Sequence, residues 1–168
     1  SRTKDNAEKF GDEFNVPFRF DSYEKMAQSD AVDAAYIAVP HSGHIGCSCL
    51  MMNNGKHVLC EKAITLNSQE LNQAGNLANK NNLILAEAMT IYNMPLYIEL
   101  EKIINSGKLG EFRLAQVNFG SFKEYEMTNR FFNMDLAGGA LLDIGVYALS
   151  LVRMFMETEK AEIHSQVR

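Results

Sequence analysis

The chain alternates short unbroken apolar runs with longer stretches in which apolar residues return every three or four positions. Ala34-Ala35-Tyr36-Ile37-Ala38-Val39, stopped by Pro40, and His57-Val58-Leu59-Cys60 are runs of the first kind, and Leu83 to Ala88 is a third. Such runs predict strands covered on both faces, as in a parallel sheet. Between them the periodicity predicts a helix from about Gly43 to Asn54, closed by Gly55 as a left-handed cap. Asn67-Ser68-Gln69-Glu70 has capping-box spacing and opens a helix with Leu71, Ala74, Leu77 and Ala78 on one face. Ahead of these, Ala7, Phe10 and Phe14 mark a helix over residues 4–14, and Val16-Pro17-Phe18-Arg19-Phe20 alternates like a short strand. Asp21-Ser22-Tyr23-Glu24 then opens a short helix through about Ser29. This alternation of strand and helix argues for parallel βαβ units.

After residue 90 the rhythm changes. Pro95 stands in the first turn of a longer helix carrying Leu96, Leu100, Ile103 and Ile104, and Gly107 ends it. Phe112 to Phe119 sets Ala115, Val117 and Phe119 against polar neighbours, predicting a sheet with one solvated face. An aromatic and charged loop, about 120–135, leads into a helix from about Gly138 to Phe155, and residues 161–168 read as a strand. The fold class is therefore α/β. The change of rhythm places a domain boundary near residue 90.

Composition narrows the function classes. With 168 residues, 46% hydrophobic, the chain can fill a real core. Net charge is −5 and the 16 basic residues are scattered, a poor match to nucleic acid or a polybasic membrane surface. No apolar stretch is expected to reach the roughly 18 residues of a membrane span, and the polar start SRTKDNAEKF is no signal peptide. Cys47, Cys49 and Cys60 are odd in number and lack CxxC spacing, so they read as reduced core thiols of a cytoplasmic protein, not as a metal site.

Three clusters carry candidate chemistry. Glu61-Lys62 puts an acid and an amine where a strand ends, which in an open α/β sheet is where ligands sit. A lysine held partly out of water there is suited to moving protons; alone, the pair reads more readily as exposed surface charge. Pro40-His41-Ser42-Gly43-His44 enters a helix after a buried strand, where free backbone amides suit a ribose or phosphate; it is also what an ordinary βα turn looks like. In Gly138-Gly139-Ala140-Leu141-Leu142-Asp143-Ile144-Gly145-Val146-Tyr147, Asp143 and Tyr147 are four apart and share a helix face, with small glycines leaving room for a ligand; alone, Tyr147 reads more readily as a buried aromatic with a satisfied hydroxyl.

In this order, PHSGH, GKHVLCEKA, AEA, INSGKLGEF and LAGGALLDIGVYAL resemble the Gfo/Idh/MocA oxidoreductases over essentially the whole chain, most closely their dihydrodiol dehydrogenase-like branch. The resemblance implies a partial doubly wound, nicotinamide-binding Rossmann domain over 1–90 joined to part of an α+β domain over 91–168, which closes over the substrate and whose open, mainly antiparallel sheet supports assembly into dimers or tetramers. It implies Lys62 as proton donor or acceptor on the reacting oxygen, Tyr147 as its helper and Asp143 as a substrate-positioning group. Pro40, His41 and His44 would line the nicotinamide and Glu61 would lie near the ribose. Arg130, in the polar loop before the glycines, is a candidate contact to substrate or cofactor and reads equally as an exposed structural arginine. The implied cofactor is NADP, or NAD, and the implied substrate a sugar, cyclitol or diol. A non-catalytic dinucleotide or sugar sensor on the same scaffold, or an inactive fragment, is the alternative.

Two departures from the pattern bear on these expectations. The usual Glu-Lys-Pro is Glu61-Lys62-Ala63 here. A non-proline cis bond costs roughly 2.5–4 kcal/mol, so Ala63 is expected to favour trans and displace Lys62. The glycine-rich phosphate-binding turn and the first strand of the family pattern have no match, which predicts a fragment that binds dinucleotide poorly and a strand near residue 18 unbridged to 34–39. Ser1-Arg2 matches the pair that holds the 2′-phosphate in NADP-using members, a contact for which arginine is well suited.

Overall fold

The computed structural model describes residues 3–156 and 162–166. The chain divides into two compact units, residues 1–88 with 125–143, and residues 89–124 with 144–168. The segment 125–143 thus groups with the first unit, where the sequence pattern assigns it to the second.

The first unit begins with α1 (Lys4–Glu13), started by the Thr3 side chain, and α2 (Tyr23–Gln28). Ser22 caps α2, its Oγ accepting the Lys25 N–H at 3.1 Å, while Asp21 pairs with the Lys25 ammonium at 2.8 Å. Then follow β1 (Ala34–Ile37), α3 (His44–Asn53), β2 (His57–Cys60), α4 (Ser68–Lys80) and β3 (Leu85–Glu87). The strands form a parallel sheet in the order β1-β2-β3, with Ala34 opposite His57 and Val58 opposite Leu85. Asn67 caps α4, accepting the Glu70 N–H at 2.9 Å, and Gly55 leaves α3 at φ +75, a conformation glycine adopts without strain.

One face of the sheet makes the core. Ala35, Ile37, Val58 and Cys60 meet Met51 and Met52 of α3 and Ala74 and Ala78 of α4, all buried. The alanines let α4 lie close to the strands, and the methionines fill the space between. The other face is open: Tyr36 is 58% and Leu59 43% exposed. Coverage of the strands on both faces is therefore not what the structure shows, because α3 and α4 lie on the same side. Leu71, expected on the core face of α4, is exposed.

Val16–Phe20 does not form a strand. Arg19 is instead clamped by Glu8 and Asp12, both at 2.7 Å. An apolar trough of about 830 Å³, lined by Phe10, Phe18, Met26 and Tyr36 among others, touches both this segment and β1. Alternation alone cannot supply the hydrogen-bonding neighbour that a strand needs.

In the second unit a short 3₁₀ turn, Thr90–Asn93, leads to α5 (Pro95–Asn105), with Pro95 in its first turn and Gly107 beyond its end at φ +72. α6 (Val146–Phe155) lies beside α5. Phe112 packs against Phe155 with ring centroids 6.4 Å apart. Phe112 to Phe119, expected as a strand, joins no ladder, and neither do residues 162–166; residues 161, 167 and 168 lie outside the described residues. The expected antiparallel sheet is thus absent among the described residues.

Met134–Phe155 is, by length and composition, apolar enough to match a membrane span, contrary to the expectation that no stretch approaches that length. It is not one regular helix. A 3₁₀ turn (Met134–Leu136), left-handed Ala137 at φ +56 and a π turn (Leu141–Gly145) precede α6.

Candidate functional site

β1 and β2 end side by side, and the chain leaves each at the same edge of the sheet. Beyond β1 comes Ala38-Val39-Pro40, a 3₁₀ turn (His41–Gly43) and α3, whose first turn has no side-chain cap. Beyond β2 comes Glu61-Lys62. A cavity of about 370 Å³ opens there, lined by Ala38, Val39, Pro40, His41, His44, Glu61, Lys62 and Arg130. The predicted residues Pro40, His41, His44, Glu61, Lys62 and Arg130 are therefore brought together at the carboxyl ends of the strands, where α/β sheets bind ligands.

Lys62 is the charged centre of this cavity. Its ammonium donates to the backbone carbonyl of Asp143 and lies 3.2 Å from Asp143 Oδ1. The two side chains are 14% and 16% exposed, so the pair is largely screened from water. Arg130 approaches the same carboxylate oxygen at 3.7 Å and lies over the Phe131 ring, 4.1 Å from its centroid. Asp143 thus stands as counter-charge to Lys62, a role that its expected position beside substrate does not describe. The Lys62–Ala63 peptide is cis, so the expectation that Ala63 favours trans is not met.

Glu61 is fixed from two sides. The Tyr36 phenol donates to Oε1, and the Lys62 backbone N–H donates to Oε2 at 3.3 Å. The bond to the carboxylate, with some burial, raises the Tyr36 pKa above its ordinary value. In the sequence pattern Tyr36 is one apolar residue in a buried run. Register is the missing signal, because Tyr36 pairs with Leu59 and Glu61 follows two residues later on the same face.

The histidines behave differently from simple lining. His44 is 1% exposed, with Nδ1 2.7 Å from the Ala63 carbonyl and Nε2 2.9 Å from the Val39 carbonyl. His41, also buried, places Nδ1 3.2 Å from the Ala137 carbonyl. Both rings spend polar atoms on backbone.

The segment that carries Arg130 and Asp143 is folded tightly on itself. Gly138 N–H donates to the Asn133 carbonyl and Gly139 N–H to that of Phe131, each at 2.9 Å. A Cβ on Gly138 would stand 2.7 Å from the Arg130 carbonyl oxygen and 2.9 Å from that of Asn133, so only glycine fits.

Tyr147 belongs to the second unit, where its ring meets Phe119 edge-on with centroids 6.1 Å apart. Ser1 and Arg2 lie outside the described residues. All three cysteines are free, and Cys60 is held by burial at a pKa of about 11, an inert core thiol. Among the described residues no group of histidine, cysteine and acidic side chains is placed to hold a metal.

Comparison with known proteins gives this arrangement a context. Residues 1–89 match a family model described as an oxidoreductase family with an NAD-binding Rossmann fold, and residues 97–168 match the Gfo/Idh/MocA C-terminal domain. Over 157 residues the chain is 31% identical to the trans-1,2-dihydrobenzene-1,2-diol dehydrogenase of Danio rerio, covering 94% of this chain and 46% of that one. It is 35% identical over 154 residues to an NADP(+)-dependent scyllo-inositol 2-dehydrogenase of Bacillus subtilis, covering 89% and 47%. A 3-ketoreductase from Actinomadura kijaniata, crystallised with NADP and TDP-benzene, superposes with a TM-score of 0.80 at 26% identity, covering 92% of this chain and 47% of that one. The chain spans about half the length of the curated relatives it matches.

Proposed function

The chain belongs to the Gfo/Idh/MocA oxidoreductase family, and on that premise we propose that it forms the acid/base half of an NAD(P)-dependent dehydrogenase acting on a hydroxyl or carbonyl of a sugar, cyclitol or diol. Lys62 is the acid/base group. The observation that carries this reading is the largely water-screened ammonium at the carboxyl ends of β1 and β2, held against the Asp143 carboxylate with Arg130 nearby.

The donor set of the cavity suits the nicotinamide-ribose end of a dinucleotide. Glu61 offers a fixed carboxylate to ribose hydroxyls. The chemistry such a cofactor supplies when bound is hydride transfer. NADP is preferred over NAD on the strength of Ser1-Arg2, and the named relatives are consistent with it.

The protein's part is the proton. In oxidation the substrate C–H bond gives up a hydride, the O–H bond breaks, C=O forms, and the neutral Lys62 amine takes the proton. In reduction the Lys62 ammonium gives its proton to the oxygen as the C–H bond forms. A positive charge beside a developing alkoxide lowers the barrier in both directions. Asp143 keeps the ammonium in place between turnovers, and Arg130 adds positive charge at the cavity wall. Resemblance to the family is what supports Tyr147 as the helper of Lys62.

The test is hydride transfer by the full-length protein with a panel of sugars, cyclitols and diols, alongside NADPH binding. The reading expects Lys62→Ala to lose turnover while retaining NADPH binding and Tyr147→Phe to slow it. Binding without turnover by the unaltered protein on every substrate would favour a sensor instead.

A further inference from the structure

Resting on the reading of Lys62 as the acid/base group, we propose that His41 and His44 are positioning residues that set the two halves of the Lys62–Asp143 pair against each other through backbone carbonyls.

The partners of that pair lie 81 residues apart in the chain, so neither is placed by the local conformation of the other. His44 governs one side. Its buried ring joins the Val39 carbonyl, at the exit from β1, to the Ala63 carbonyl, on the residue that follows Lys62. The backbone that carries the amine is thereby tied to the neighbouring strand end. Both carbonyls only accept, so the doubly protonated ring satisfies both and the neutral ring serves one at a time.

His41 governs the other side. Its Nδ1 donates to the Ala137 carbonyl 96 residues away, and its 3₁₀ turn packs against the 3₁₀ turn Met134–Leu136. From Ala137 a short series of backbone bonds runs to the pair's second member. Gly138 and Gly139 bond back to Asn133 and Phe131, and the Asp143 N–H donates to the Gly139 carbonyl at 3.2 Å. A carbonyl held by His41 therefore fixes the frame on which Asp143 sits. The two rings stand edge to face, centroids 5.5 Å apart, on one short turn, so the two handles move as one. Neither role leaves the ring nitrogen concerned free for a ligand.

The experiment is competitive acylation of amines with acetic anhydride on the free protein, read peptide by peptide by mass spectrometry. Lys62 is the reporter of the pair. Lys56, part-buried and donating to the Ser29 carbonyl at 2.8 Å, reports general unfolding. In His41→Ala and His44→Ala, Lys62 should acylate on the order of tenfold faster, the change that loss of one net hydrogen bond produces, with Lys56 unchanged. His44→Gln, which can still donate to one carbonyl, should fall between. Adding His41→Ala to Asp143→Asn should raise acylation by less than the product of the two single effects, because both act through one pair. Lys62 acylation at the wild-type rate in both alanine variants, or rising only in step with Lys56, overturns the proposal. Labelling needs neither cofactor nor substrate. A protein that shows the Lys62 response but transfers no hydride therefore overturns the functional reading alone, and a flat Lys62 response in an active enzyme overturns the positioning alone.

Discussion

Replacing Asp143 with asparagine keeps the shape of the side chain and removes its charge, which isolates the attraction that holds Lys62. At 3.2 Å between Nζ and Oδ1, two unit charges attract by about 5 kcal/mol at an effective dielectric of about 20. Much of that is offset by the cost of taking both groups out of water, and they are 14% and 16% exposed. The bond from Lys62 to the Asp143 carbonyl survives the change. Arg130 loses its partner too, but it is 49% exposed at 3.7 Å and adds little. A net destabilisation of about 1–3 kcal/mol follows, below the 3–5 kcal/mol typical of a fully buried pair broken on one side. Urea titration by far-UV circular dichroism measures it, since the chain has no tryptophan. Lys62→Met should also destabilise, and the double variant should cost less than the sum by about 1 kcal/mol or more. Asp143→Asn within about 0.5 kcal/mol of wild type, with strict additivity in the cycle, would refute the argument that the two charges hold each other.

Three further outcomes follow from the geometry. Gly138→Ala forces a Cβ against the Arg130 and Asn133 carbonyls, so it should cost about 1–3 kcal/mol in urea and raise the acylation of Lys62 as the segment holding Asp143 shifts. The Cys60 thiol stays protonated to about 11 in the folded chain against an ordinary 9.0, so its contribution is complete below pH 9 and is lost as pH rises towards 11. Stability should fall by at most about 1.4 kcal/mol per pH unit in that window, and Cys60→Ala should flatten the fall in urea midpoints between pH 9 and 11. Met52, wholly buried between α3 and the sheet, should cost about 2–5 kcal/mol when cut to alanine, whereas Leu71→Ala on the exposed flank of α4 should change the midpoint by far less.

The parts of the fold that announce themselves along the chain are those whose cause is local. Residues 57–60 and 34–37 are apolar runs, and the Asn67 cap and the Gly55 exit are single-residue events, so pattern alone locates β2, β1, α4 and the end of α3. Val16–Phe20 and Phe112–Phe119 alternate as well as many strands do, but alternation cannot tell whether a neighbouring strand exists to receive their hydrogen bonds. The same division runs through the candidate site. Glu61 and Lys62 stand out because a charged pair ends an apolar run. Asp143 opposite Lys62, Tyr36 on Glu61 and His44 on the Ala63 carbonyl join residues 81, 25 and 19 positions apart, and no local spacing encodes them. Nor does composition distinguish a histidine that lines a cavity from one that ties two backbones together; burial and two carbonyl partners do.

The central claim is that the Lys62 amine carries the proton, and single-turnover hydride transfer by Lys62→Ala in the full-length protein tests it most directly. With NADPH bound and a reducible substrate saturating, the rate should fall by roughly 10²–10⁴ and recover in part when methylamine is added to fill the space left by the side chain. A rate within about threefold of the unaltered protein, indifferent to added amine, would contradict the account.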